Sequence, residues 1–205
     1  EAVALCLISG LRVQQYLQVV QTAIPDCEGV EIMDEFSVLL LQTEQSEHAL
    51  DALEQLHKRY STTYFILGPA FKDWKLMPEI YNRMMEIYRL RFLHPKEQVV
   101  YFPELPVLDS SSSDLSEITD RIMNALKKGF HHKAIDYWQE FVCALDHKHY
   151  TAVRFGLITL GNNVLKLACA DTLEGTSYNA ACREYTRMLD GILTIDTLTS
   201  FFTEQ

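Results

Sequence analysis

The stretch Val30-Glu31-Ile32-Met33-Asp34-Glu35-Phe36-Ser37-Val38-Leu39-Leu40-Leu41 decides how the first half of the chain is read. It predicts two short strands joined by a tight polar turn at Met33-Asp34-Glu35. The second strand, from Phe36 to Leu41, is almost continuously apolar, as a strand buried on both faces is. On the N-terminal side, Ala2–Ile8 predicts a strand and about Arg12–Ala23 a helix. That helix carries Val13, Tyr16, Leu17, Val20 and Ile24 at steps of three or four, and Pro25-Asp26 stops it. On the C-terminal side, Ser46–Tyr60 predicts a helix with Ala49, Leu50, Leu53 and Leu56 on its apolar stripe. His57-Lys58-Arg59 place positive charge in its last turn, where the helix dipole favours it. Thr63–Leu67 is β-branched and aromatic and is expected to end at Gly68-Pro69. A helix over Pro78–Phe92 and a strand at Val99-Val100-Tyr101 follow. The order is βαββαβαβ, an α+β sheet with helices packed over it.

Beyond this the pattern changes. Pro103 to Asp114 holds two prolines and a serine tract, which is linker composition, and places a boundary near Ser110. The expected domains are therefore residues 1–108 and 109–205. After the boundary no strand pattern occurs. Leu115, Ile118, Ile122, Ala125 and Leu126 make one helical stripe, capped at Gly129. Ala134, Ile135, Trp138, Phe141, Val142 and Leu145 make a second. Tyr150–Ala170 is a third, very apolar helix, with a break or kink expected at Gly161-Asn162-Asn163. Ser177–Leu189 and Ile195–Phe202 complete an all-α helical bundle.

The 205 residues carry a net charge of −10, divided as −6 over residues 1–108 and −4 over residues 109–205. An acidic surface repels phosphates, so no nucleic-acid binding by these residues is expected. No apolar run approaches the ~18 residues that span a bilayer, and the N-terminus has no signal-peptide pattern. Five widely spaced cysteines, without a CxxC pair, indicate neither a zinc site nor a disulfide framework. A reducing, cytoplasmic setting is expected, or the cytoplasmic part of a membrane-anchored protein. The chain opens at Glu1 inside a strand and closes inside an amphipathic helix, so a piece of a longer protein is expected.

The hairpin Ile32-Met33-Asp34-Glu35-Phe36, followed by an apolar strand, resembles the signature hairpin of GGDEF domains, with Ile32 and Met33 in place of two glycines. The element order also resembles that family's ferredoxin-like fold. Members with intact sites condense two GTP molecules into cyclic di-GMP. Glycines at those two positions would let the backbone approach a nucleotide and take positive φ, which Ile and Met do poorly. The family also places a metal-binding carboxylate at the end of the first strand. Here Leu7-Ile8-Ser9-Gly10-Leu11-Arg12 holds no Asp or Glu. Asp34 and Glu35 alone supply too few oxygen ligands for a magnesium-nucleotide site. The resemblance thus implies a degenerate, non-catalytic GGDEF-like domain with no catalytic residue, metal or cofactor.

A GGDEF-like domain followed by about a hundred helical residues is similar to the regulatory part of AraC-type transcription regulators, and less closely of PucR-type ones. The similarity is carried by Gly68-Pro69, by Tyr88-Arg89-Leu90-Arg91-Phe92, and by Ala125–Gly129 with Lys133–Trp138. It implies a homodimer whose own C-terminal helix-turn-helix domain, absent from these residues, binds paired half-sites. An unknown small-molecule effector is a further expected partner. The alternatives are a small-molecule or nucleotide sensor, and an active diguanylate cyclase with an unusual site.

Other constellations have plainer readings. His131-His132 with Asp136, and Asp146-His147-Lys148-His149, have metal-like spacing without a third ligand, and read as solvated helix ends. Trp138, Phe141, Phe155, Tyr178 and Tyr185 are the candidates for a ligand pocket or a dimer face, against the ordinary role of helical aromatics as core. No Gly-rich phosphate loop, Gly-x-Ser-x-Gly elbow or catalytic Cys/His pairing occurs.

Overall fold

The computed structural model describes residues 2–10, 12–25, 27–33, 36–42, 46–94, 98–169, 175–191 and 194–204. The chain divides into two compact units, Glu1–Arg89 with Lys96–Pro106, and Leu90–Pro95 with Val107–Gln205. The first is α+β and the second all-α.

The first unit runs β1 (Val3–Ser9), α1 (Val13–Ala23), β2 (Glu28–Met33), β3 (Phe36–Gln42), α2 (Ser46–Arg59), β4 (Tyr64–Phe71), α3 (Met77–Arg89) and β5 (Val99–Tyr101). The strands form one mixed sheet in the order β2-β3-β1-β4-β5. β1 is antiparallel to both β3 and β4, β2 is antiparallel to β3, and β4 is parallel to β5. The two-residue period of a strand sends alternate side chains of β1 to opposite faces. Ala4, Cys6 and Ile8 join Leu39, Leu41, Phe65 and Leu67 under Tyr16, Val20 and Ile24 of α1 and Leu53 and Leu56 of α2. Leu5 and Leu7 join Val38 and Ile66 under Ile80 and Met84 of α3. Helices on both faces are why β1 and β3 are apolar at nearly every position.

Two boundaries differ from the expectation by more than two residues. β4 does not end at Gly68-Pro69 but continues to Phe71. Its pairing with β1 shifts register between Ala4 and Cys6, so that Gly68 and Pro69 form a bulge in β4 against Leu5, where a residue without an N–H is tolerated. The helix expected to reach Phe92 ends at Arg89, and a 3-10 turn follows at Arg91–Leu93. Phe92 accordingly belongs to the second unit's core.

The second unit contains α4 (Ser113–Lys127), α5 (His131–Leu145), α6 (Tyr150–Ala168), α7 (Gly175–Asp190) and α8 (Ile195–Glu204). α4 ends in a Schellman motif. Gly129 has φ +72°, its amide donates to Leu126, and the Phe130 amide donates to Ala125. The unit's core is built from Leu115, Ile118, Phe141, Val153, Leu157, Leu160, Tyr185 and Leu198, among others.

The break expected at Gly161-Asn162-Asn163 is absent, since α6 is continuous through all three residues. Gly161 serves another end. A Cβ there would stand 2.1 Å from Cε1 of Tyr185, so the glycine is the space into which that ring packs. From that position the Tyr185 hydroxyl donates to the Leu157 carbonyl at 2.7 Å.

Asp109 bridges the α5–α6 connection, with its amide donating to His147 O at 2.8 Å and its carbonyl accepting from the His149 amide at 2.9 Å. No helix among the described residues is long and apolar enough to cross a membrane.

Candidate functional site

Register places four residues in one row across the end of the sheet. Met33 pairs with Phe36, Phe36 with Ser9, and Ser9 with Tyr64. The third strand face in this row is covered by α3, whose last turn delivers Tyr88. The Tyr88 ring meets Phe36 edge-on at 4.9 Å and Tyr64 at 6.0 Å. The Ser9 hydroxyl donates to the Tyr88 hydroxyl at 2.9 Å, and Ser9 is 8 % exposed. Ser9 is the last residue of the first strand, where the GGDEF resemblance implies a metal-binding carboxylate. The row therefore offers hydroxyls and aromatic rings at that position.

Of the hairpin residues singled out from sequence, Ile32 is 42 % exposed on the edge strand, and Phe36 is half-buried in the aromatic cluster. Met33 closes β2. Asp34 and Glu35 lie outside the described residues. Sequence reading missed Tyr88 as a partner of the hairpin. Only the packing of α3 on the sheet brings its hydroxyl to Ser9.

The helical candidates separate into different environments. Trp138 stacks on Phe141 at 5.8 Å and tilts against Phe202 at 4.6 Å. Phe202 in turn meets Tyr185 at 6.2 Å, and Tyr185 stacks on Phe201 at 5.0 Å. Trp138, Phe141 and Tyr185 thus share one buried cluster. Tyr178 is half-buried against it, while Phe155 is 61 % exposed on α6. The Trp138 indole donates to Thr199 Oγ1 at 3.1 Å, which satisfies its polar edge and leaves the ring faces for apolar contact. Burial pushes the Tyr185 hydroxyl above its ordinary titration range, so it acts as a neutral donor. Tyr16, in the other unit, is pushed up to about 12, chiefly by burial.

The His-containing cluster before α6 is organised by its lysine. Lys148 is 6 % exposed, and its ammonium contacts Asp109 at 2.6 Å and Asp114 at 2.9 Å. The hydrogen bond from Lys148, helped by the Ser111 amide, holds Asp109 below the ordinary carboxylate range. For Asp114, burial pushes the carboxyl up, but Lys148 and the Leu115 amide outweigh it and the net displacement is downward. The hydrogen bond to Asp109 leads the causes that raise Lys148. The signal available in sequence was a lysine among histidines at a helix start, and nothing there placed two distant aspartates on it. Asp146 pairs with His94 at 3.0 Å, and His131 and His132 are exposed. Among the described residues no three His, Cys, Asp or Glu side chains gather as a metal would require. All five cysteines are free thiols, and burial pushes that of Cys6 far up.

Comparison with known proteins adds no relative, for no family model, no curated protein and no solved structure matches this chain.

Proposed function

We propose that this chain is a non-catalytic regulatory region, in which a degenerate GGDEF-like unit is joined to a helical unit that transmits state or holds a homodimer. The strand order β2-β3-β1-β4-β5, with β1 central and antiparallel to its neighbours, supports a ferredoxin-like, GGDEF-like assignment for the sheet unit. The observation that carries the non-catalytic reading is the row at the hairpin. Ser9 ends the first strand and is spent on Tyr88, in the place where a cyclase of this kind holds its metal through a carboxylate. A buried neutral hydroxyl cannot offset the charge of a magnesium nucleotide.

The resemblance to AraC-type regulators extends this to a regulatory part whose helix-turn-helix DNA-binding domain lies outside these residues. The net charge of −10 supports a region that does not itself grip DNA. The direct test is incubation of the protein with GTP and Mg²⁺ followed by chromatography for cyclic di-GMP. No product is expected, and turnover would overturn the reading in favour of a diguanylate cyclase. Sedimentation equilibrium tests the homodimer, and a strictly monomeric chain at high micromolar concentration would remove it.

A further inference from the structure

The helical unit contains a cavity of about 230 Å³ between α4, α5, α6 and α8. Its wall is apolar, with Ile122, Trp138, Leu160, Val164 and Phe202 among its side chains, and His131 stands at one end. That end is chemically distinct. His131 also lines a shallow surface depression with Gly129, Phe130, His132 and Lys133, at the N-terminus of α5. No side chain caps that helix, and no acidic residue occurs in its first turn, so the first amides of a 15-residue helix point outward without a capping side chain. Lys133 lines the same depression as His131 and His132, and no acidic residue lies between Asp120 and Asp136 in the sequence. In a chain of net charge −10 this is a local excess of positive charge beside His131.

We infer that this cavity is a binding site for a medium-chain monocarboxylate, with the tail among Ile122, Trp138, Leu160 and Phe202 and the carboxylate at the α5 N-terminus beside His131. Three features select this class. The apolar wall excludes sugars, nucleotides and amino acids, whose polar groups would be stranded there. Lys133 and the dipole of α5 beside His131 favour an anion over a neutral or cationic head. The volume sets the tail: a dry cavity of about 150 Å³ holds a six-carbon ring, so this one takes roughly eight or nine carbons. The site lies in the helical unit alone and does not depend on the non-catalytic reading of the sheet unit; loss of either leaves the other standing, because one is read by GTP turnover and the other by ligand heat.

The test is isothermal titration of the 205-residue chain with butanoate, hexanoate, octanoate and dodecanoate, and with octylamine and 1-octanol as head-group controls. Each added methylene should tighten binding about fourfold up to octanoate, the usual effect of burying a CH₂, and the gain should level off by dodecanoate. Octylamine should bind at least tenfold more weakly than octanoate. Affinity independent of chain length, or octylamine binding as tightly as octanoate, overturns the proposal. Ala168, exposed on α6 at the cavity wall, gives a blocking variant. Ala168→Trp should abolish octanoate binding. His131→Glu, at an exposed position and so independent of any folding defect in the first variant, should weaken octanoate at least tenfold while sparing 1-octanol. Unchanged octanoate affinity in His131→Glu refutes the placement of the carboxylate.

Discussion

Replacing Gly161 with alanine tests the packing of the helical unit at its tightest point. Helix propensity alone predicts that Gly161→Ala stabilises α6 by about 1 kcal/mol. The structure predicts the opposite sign. The new methyl would stand 2.1 Å from Cε1 and 2.2 Å from Cζ of Tyr185, so the ring must leave. Overpacking of this kind costs about 1–3 kcal/mol. Displacement also breaks the 2.7 Å hydrogen bond from Tyr185 to Leu157, worth about 1 kcal/mol. Disturbed stacking on Phe201 adds about 0.5 kcal/mol or more. Set against the propensity gain, the net destabilisation is about 2–3 kcal/mol. Urea unfolding followed by tryptophan emission is the assay, because Trp138 is buried in the helical unit while Trp74 is 55 % exposed in the other. The midpoint should fall by about 1–2 M for a slope near 1.5 kcal/mol/M. Adding Tyr185→Ala should cost less in the Gly161→Ala background than in the parent, since the clash has gone. A Gly161→Ala midpoint equal to or above the parent's would refute the close approach of ring and helix.

Further outcomes follow from other contacts. Phe141→Ala should cost about 3–5 kcal/mol and Phe155→Ala less than about 0.5 kcal/mol, because the first is fully buried and the second is mostly in water; equal effects in urea unfolding would contradict this placement. Tyr88→Phe should lower stability by about 0.5–1.5 kcal/mol through loss of the Ser9 hydrogen bond, and Ser9→Ala in the Tyr88→Phe background should add almost nothing. Asp109 and Asp114 titrate below their ordinary value, so their contribution is present above about pH 4 and is lost as pH falls through the lowered folded values. Lys148 titrates above its ordinary value, so its contribution is present below about pH 10.5 and is lost as pH rises through the raised folded one. Lys148→Met should flatten the acid limb of a plot of Tm against pH, and an unchanged limb would show that the aspartates gain nothing from the pairing.

How far the sequence reached can be read from particular elements. Period, apolar runs and turn residues placed the five described strands and the eight described helices, because apolar residues patterned along a chain have one efficient way of leaving water. The near-continuous run Val38–Leu41 already implied cover on both sides of the sheet, and α1 with α2, and α3, supply it. At the hairpin, the absence of a carboxylate from Leu7 to Arg12 was visible from residue types. The partner that Ser9 takes at that end of the sheet was not. Tyr88 lies 79 positions from Ser9, and no local pattern encodes their meeting. The same holds for Gly161, which reads as a helix breaker until a ring from α7 needs its missing methyl, and for Lys148, whose two aspartates precede it by more than thirty positions. Propensity, period and charge are properties of neighbours along the chain, and they determined the elements and the sign of the surface. Which side chain fills a space, answers a charge or closes a cavity depends on groups that only packing makes neighbours, and those the tertiary structure decided.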